Sequence, residues 1–177
     1  MNRHYDRYLT LKYPPLYRDR YSPMTHTAMC WGFECGNGWF NLINNLSYAL
    51  CADWFRAKQK YDQIKDYEGV LLYKALYNED SAQSDRNVVI TKEMIEKRKA
   101  EMDAQELLVP TAVQVKEKFG GLRFYVKGAS DKQYELIDFA EQMSYSICDV
   151  CGTRGKPNNR GWISTRCKKH RKAYEND

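Results

Sequence analysis

The stretch VQVKEKFGGLRFYVKG, residues 113–128, decides the fold. Apolar and polar side chains alternate on both sides of Gly120-Gly121, which is the pattern of two half-buried antiparallel strands. A Gly-Gly pair supplies the positive φ angles that a two-residue hairpin turn requires. A turn at Gly120-Gly121 sets Phe119 opposite Leu122, Lys118 opposite Arg123, Lys116 opposite Tyr125 and Gln114 opposite Lys127. One face then carries Val113, Val115, Phe119, Leu122, Phe124 and Val126. The other carries Gln114, Lys116, Lys118, Arg123, Tyr125 and Lys127.

Two features of this hairpin call for a cause. Lys118 beside Arg123 is a like-charge pair, unfavourable by about 0.2–1 kcal/mol. Glu117 falls on the apolar face, where an unpaired carboxylate is costly; an arginine of a neighbouring element is one partner that would hold it. An anion-binding face built from Lys116, Lys118, Arg123 and Lys127, with Tyr125 stacking or donating its hydroxyl, accounts for the charge. A solvated strand face guarded by lysines is the competing account, and a register other than this one is the third.

Downstream, Ser130-x-x-Gln133 has capping-box spacing and opens a helix whose buried stripe is Leu136, Ile137, Ala140, Met143 and Ile147. That helix runs into Cys148-x2-Cys151, and after fifteen intervening residues comes Cys167-x2-His170. A tight turn brings i and i+3 together, so each short pair presents two donors to one side of a tetrahedral ion. The intervening GTRGKPNNRGWIST holds three Gly, one Pro and two Asn, as a compact excursion between ligand pairs requires. The spacing predicts one structural Zn²⁺ on Cys148, Cys151, Cys167 and His170. The competing account needs three buried cysteines and one surface histidine to coincide. Four protein donors leave no open position for catalysis, and no acidic residue lies between Cys151 and His170.

Upstream, Trp39, Leu42, Ile43, Leu46, Leu50, Trp54, Ala57, Tyr61 and Ile64 recur at helical spacing up to Gly69. They predict one helix of about 25 residues, or two with a break near Cys51. Residues 1–30 are basic, and Pro14, Pro15 and Pro23 interrupt any long element. This segment is expected to wrap the domain through Tyr13, Leu16 and Tyr17. Thr91 caps a highly charged helix, TKEMIEKRKAEMDAQEL, whose narrow apolar edge is Met94, Ile95, Met102 and Leu107. The stretch around 78–109 reads as an insertion or flap. His26, Cys30, Cys35 and Cys51 offer four more donors at irregular spacing; the three cysteines read as buried thiols, with a second metal set or a redox role as alternatives.

The chain has 177 residues, 43% hydrophobic, 14% aromatic and 29% charged, with a net charge of +5. That is enough for a real core and excludes wholesale disorder. No apolar run approaches a membrane span, and MNRHYDRYLTLKYPP lacks a signal-peptide h-region, so a cytoplasmic setting is expected. Positive charge concentrates at the end: residues 148–172 contain eight basic side chains against the single acid Asp149. Fourteen tyrosines and four tryptophans favour a recognition surface and self-association into a homo-oligomer.

The expected architecture is α+β. Long helices pack on a small antiparallel sheet around the 113–127 hairpin, and a zinc-ribbon-like element closes the chain. The expected division is an α+β domain over 1–147 and a zinc module over 148–177.

The motifs WGFECGNGWF, QVKEKFGGLRFY and CDVCG…GWISTRCKKH, in that order, resemble a largely uncharacterised family of small phage, prophage and bacterial proteins. The resemblance covers roughly residues 29–55 and 111–170. It implies a zinc-ribbon-like end, a hairpin and a viral or mobile-element setting in a bacterial host, where small accessory proteins often act against host defence.

Enzyme signatures are lacking: there is no HExxH, no Gly-x-Ser-x-Gly, no P-loop and no His-x-Glu deaminase pattern. Cys30 or Cys35 with His26 is the remaining nucleophile arrangement, and the sequence reads as non-enzymatic. Three binding functions follow, and the first is favoured, because a net charge of +5 is modest for a dedicated DNA binder and the acidic middle of the chain would repel a long duplex. The first is capture of a phosphate-bearing small ligand, such as a nucleotide signal of host immunity, by the hairpin cations with Arg160 and Arg166, and with Trp39, Tyr125 or Trp162 stacking on a base. The second is nucleic-acid binding through the basic metal module, and the third is docking on a host defence protein.

Overall fold

The computed structural model describes residues 1–73, 87–158 and 163–171. Helices and small sheets alternate, so the fold is α+β. The chain divides into two compact units, residues 1–51 with 109–177 and residues 52–108.

The first unit is organised by the sheet β1-β4-β5, with β1 at Phe33–Glu34, β4 at Thr111–Lys118 and β5 at Gly121–Lys127. The β4–β5 hairpin is antiparallel, as its alternation predicts, but β1 runs parallel to β4, so the sheet is mixed. The hairpin register differs from the expected one. Lys118 pairs with Gly121, Glu117 with Leu122, Lys116 with Arg123 and Gln114 with Tyr125, with a bulge between Ala112 and Gln114. The turn residues are therefore Phe119 and Gly120, both at positive φ, 53° and 78°. The reason lies in packing: a Cβ at Gly121 would stand 2.4 Å from the Tyr145 ring. Gly121 is reserved for that contact, and the turn moves back by one residue.

This register also explains the misplaced acid. Glu117 accepts a hydrogen bond from the Gly120 amide at 2.7 Å, so it caps the turn instead of holding an arginine.

Helix α1 (Arg3–Lys12) and the segment after it cover the sheet and helix α2 (Phe40–Leu50). Tyr13, Leu16 and Tyr17 are buried, as a wrapping segment requires. The Tyr13 hydroxyl donates to Asn44, and the Tyr17 hydroxyl shares a 2.6 Å hydrogen bond with Ser47. The Ala112 amide donates to the Leu16 carbonyl, which ties the segment to β4. Helix α5 (Asp131–Ser144) begins at the expected capping box on Ser130 and Gln133. It packs on β5 and α2.

The long helical pattern is interrupted at Cys51, where the chain turns out of α2 before α3 (Ala52–Asp62). That break is also where the first unit gives way to the second, so residues 52–73 group with residues 87–108 of the stretch expected to be the insertion, whose residues 78–86 lie outside the described ones. In the second unit, α3 and α4 (Lys92–Leu107) pack together, and Thr91 caps α4 by accepting from the Met94 amide. Strands β2 (Leu71–Tyr73) and β3 (Asn87–Val89) form a separate antiparallel pair.

Candidate metal centre

The loop after α5 makes a knuckle: the Cys148 amide donates to the Thr153 carbonyl and the Gly152 amide to the Cys148 carbonyl, with Gly152 at φ 77°. Strands β6 (Lys156–Asn158) and β7 (Ser164–Arg166) follow as an antiparallel pair, and helix α6 (Lys168–Arg171) starts immediately after Cys167. The second ligand pair thus lies on the first turn of a helix. The arrangement is knuckle, hairpin, helix, which differs from a ribbon with two hairpin knuckles.

The donor atoms of Cys148, Cys151, Cys167 and His170 all lie within 4.8 Å of one another, and the four residues could hold a metal ion. Cys151 and Cys167 sulfurs are 3.8 Å apart, while the His170 Nδ1 is 3.5 Å from the Cys148 sulfur and 3.3 Å from that of Cys167. Tetrahedral ligation with bonds of about 2.0–2.3 Å has edges of about 3.5–3.8 Å. A disulfide would need the sulfurs at about 2.05 Å, so these cysteines are unpaired donors. The His170 backbone N–H pulls the Cys167 thiol down to about 6, against the effect of desolvation. Burial raises that of Cys148. A cation replaces the protons on such a set.

The knuckle is seated on the N-terminal motif. Gly38 donates its amide to the Asp149 carbonyl at 2.8 Å, and a Cβ at Gly36 would stand 1.9 Å from that oxygen. The Asp149 amide donates to the Thr165 carbonyl, and the Thr165 hydroxyl donates to the Gly120 carbonyl at 2.6 Å. The three sequence motifs therefore meet in one place. Residues 148–171 belong to the same compact unit as the sheet, where the sequence suggested a boundary at 147/148. The two glycines of CGNG, spaced to let backbone meet backbone, carried this information. Asp149 lies 3.4 Å from the Arg166 guanidinium; burial raises the Asp149 carboxyl and Arg166 opposes that rise.

The expected ligand-binding residues do not form a single site. Trp39 is 0% exposed and its indole N–H donates to the Ile147 carbonyl at 2.9 Å, so it has no face for a base and acts as core. Arg123 is held by the Tyr145 hydroxyl at 2.9 Å, by its neighbour's carbonyl and by Glu141 at 3.5 Å. Lys127 pairs with Asp19 at 3.0 Å. Arg166 faces Asp149. Lys116 lies over the Tyr125 ring, and Lys118 over the Phe119 ring. Arg160 and Trp162 lie outside the described residues.

Two further contacts escaped sequence reasoning. β5 is an edge strand, and its Phe124 and Leu122 amides donate to Glu141 and to Ser144 of α5. Of the other cysteines, Cys30 is only half-buried, against the expectation, while Cys35 and Cys51 are buried and burial pushes both of their thiols up to about 12. Cys35 and Cys51 are inert thiols of the core. Among the described residues, the cluster at 148–170 is the one group of three or more donors that a metal fits.

The chain matches no family model, no curated protein and no solved structure. No helix among the described residues is long and apolar enough to cross a membrane.

Proposed function

We propose that the chain is a non-enzymatic nucleic-acid-binding protein, stabilised by one structural Zn²⁺ on Cys148, Cys151, Cys167 and His170. Three sulfur donors and one imidazole at tetrahedral spacing suit zinc above hard cations such as Mg²⁺ or Ca²⁺. All four donors come from the protein, which makes the role structural.

One observation carries the binding reading. Arg154, Lys156, Lys168 and Lys169 are exposed on the metal module, and among the described residues none of them has an ion pair. Cations displayed without carboxylate partners are what an extended phosphate backbone recruits. A confined site for a phosphate-bearing small ligand would draw on Trp39 and Arg123. The first is enclosed, and the second is occupied by Glu141 and Tyr145.

Salt dependence tests the reading. Affinity for an oligonucleotide, followed by fluorescence anisotropy, should fall steeply as salt rises, each phosphate contact adding about 0.7–0.9 to the log–log slope. A Lys168→Glu/Lys169→Glu variant that retains its zinc should bind more weakly and with a shallower slope. Binding of a mononucleotide but of no oligonucleotide would overturn the reading and restore the small-ligand one.

A further inference from the structure

The Gly121–Tyr145 contact puts position 119 in the turn at positive φ, but nothing in that packing requires the residue there to be Phe. A two-residue turn with both φ angles positive favours Asn or Gly at its first position, and a bulky side chain there is a conformational outlier. This chain puts Phe119 there, at φ 53°, and the residue is 64% exposed. The strain and the exposure both cost stability, and among the described residues the ring's partner is the Lys118 ammonium of the same hairpin, 5.3 Å from the ring centroid, which repays neither. A residue held at a conformational and solvation cost points to use outside the fold.

The surroundings indicate what the use is. On the same hairpin Tyr125 is 41% exposed, with the Lys116 ammonium 5.6 Å from its ring centroid. Neither Lys116 nor Lys118 has an ion pair among the described residues. The hairpin thus displays two partly exposed aromatic rings, each with an ammonium over one of its faces. They are separated by about four strand residues, or roughly 13 Å. The turn abuts the metal module directly, because Thr165 of β7 bonds to the Gly120 carbonyl and Ile163 flanks it. Alternating cations and accessible π faces fit a strand whose bases are unpaired: the ammonium groups take phosphates and each ring stacks on a base. A duplex hides its base faces and makes no use of Phe119.

We propose that the β4–β5 hairpin is a single-strand-binding platform, on which Phe119 and Tyr125 stack on unpaired bases and Lys116 and Lys118 contact the intervening phosphates. This rests on the nucleic-acid reading above and narrows it to single strands.

The test uses the full zinc-loaded chain, an unstructured oligothymidylate of about 15 nucleotides as probe, and a duplex of equal length. Phe119→Asn supplies the residue that the turn prefers and removes the ring. It should raise the urea midpoint, weaken oligothymidylate binding roughly 5- to 100-fold and leave the salt slope unchanged, because no charge is lost. Phe119→Tyr keeps a ring and should restore most of the affinity. If the wild-type chain binds the probe and Phe119→Asn binds equally well, stacking is wrong while the nucleic-acid reading stands. The same holds if the chain prefers duplex. A loss of folding stability in Phe119→Asn would assign the ring a structural role and overturn the inference. A wild-type chain that binds neither probe would overturn both.

Discussion

Gly38 and Asp149 are joined backbone to backbone: the Gly38 amide donates to the Asp149 carbonyl at 2.8 Å. A Cβ at Gly38 would stand 2.1 Å from the neighbouring Cys148 carbonyl oxygen. The contact fixes the position of the first ligand-bearing knuckle from a turn more than a hundred residues away. Gly38→Ala should therefore cost about 1–3 kcal/mol by overpacking. It should also speed zinc transfer to a chelating dye, which a change confined to α2 would not do. An unchanged transfer rate would show that the knuckle holds its ligands without this seat.

Metal removal should be felt beyond the four ligands. The Cys148 knuckle contacts Gly36 and Gly38, and β7 contacts the hairpin turn. Because binding energy of such a site is folding energy, a strong chelator should lower the thermal midpoint of the first unit as a whole. Cys148→Ala should reproduce the effect, whereas His170→Cys should retain zinc on four thiolates. The thiols and the imidazole must shed protons to bind, so metal affinity should fall as pH falls. Mass spectrometry under native conditions reads the stoichiometry directly, with one ion per chain expected.

What the sequence made legible followed from how local each signal was. The four-donor cluster rests on two i, i+3 pairs, and the helix starts at Thr91 and Ser130 rest on side chains reaching three residues ahead; the donors do lie together and both caps are present. The hairpin was legible as a hairpin, yet its register was not. Gly120 and Gly121 are chemically identical in sequence, and only the Tyr145 ring, which arrives from the end of α5, distinguishes the glycine needed for φ from the one needed for space. The reading of Trp39 as a stacking residue failed for a related reason. Aromatic content says nothing about which ring is enclosed, and the partner of its indole N–H, Ile147, lies 108 positions away. β1 is two residues long and pairs in parallel, so it has too little alternation to be seen.

Glu141 gives a pH signature. Its carboxylate accepts from the Phe124 amide at 2.8 Å and faces Arg123, but burial dominates and raises its pKa. A carboxyl raised in the folded state binds more protons there than in the unfolded chain, whose value is about 4.3. Its contribution to stability is therefore greatest below that value and declines as pH rises through the folded pKa. Glu141→Gln keeps an acceptor for the Phe124 amide and abolishes the titration. The stability difference between the wild type and this variant, from urea midpoints, should move in favour of Gln as pH rises from about 4 toward neutrality. Glu141→Ala should instead lose about 1–3 kcal/mol at any pH by orphaning a buried amide. A pH-independent difference between Glu and Gln would mean that Arg123 fully compensates the buried charge.

Thr165 offers the sharpest test of whether the hairpin and the metal module act as one piece. Its side chain is fully buried, and its hydroxyl donates to the Gly120 carbonyl at 2.6 Å, inside the turn that carries Phe119. Thr165→Val preserves the shape and removes the donor, leaving that carbonyl without its bond. The expected cost is about 1–3 kcal/mol, because an unsatisfied buried acceptor loses its full desolvation penalty. Hydrogen exchange locates the damage. If the two elements are coupled through this bond, protection should fall together at the β4–β5 amides and at the Asp149 amide, which donates to the Thr165 carbonyl. Loss confined to the turn would show that the module stands on its Gly38 seat alone, and that the hairpin can move without disturbing the metal.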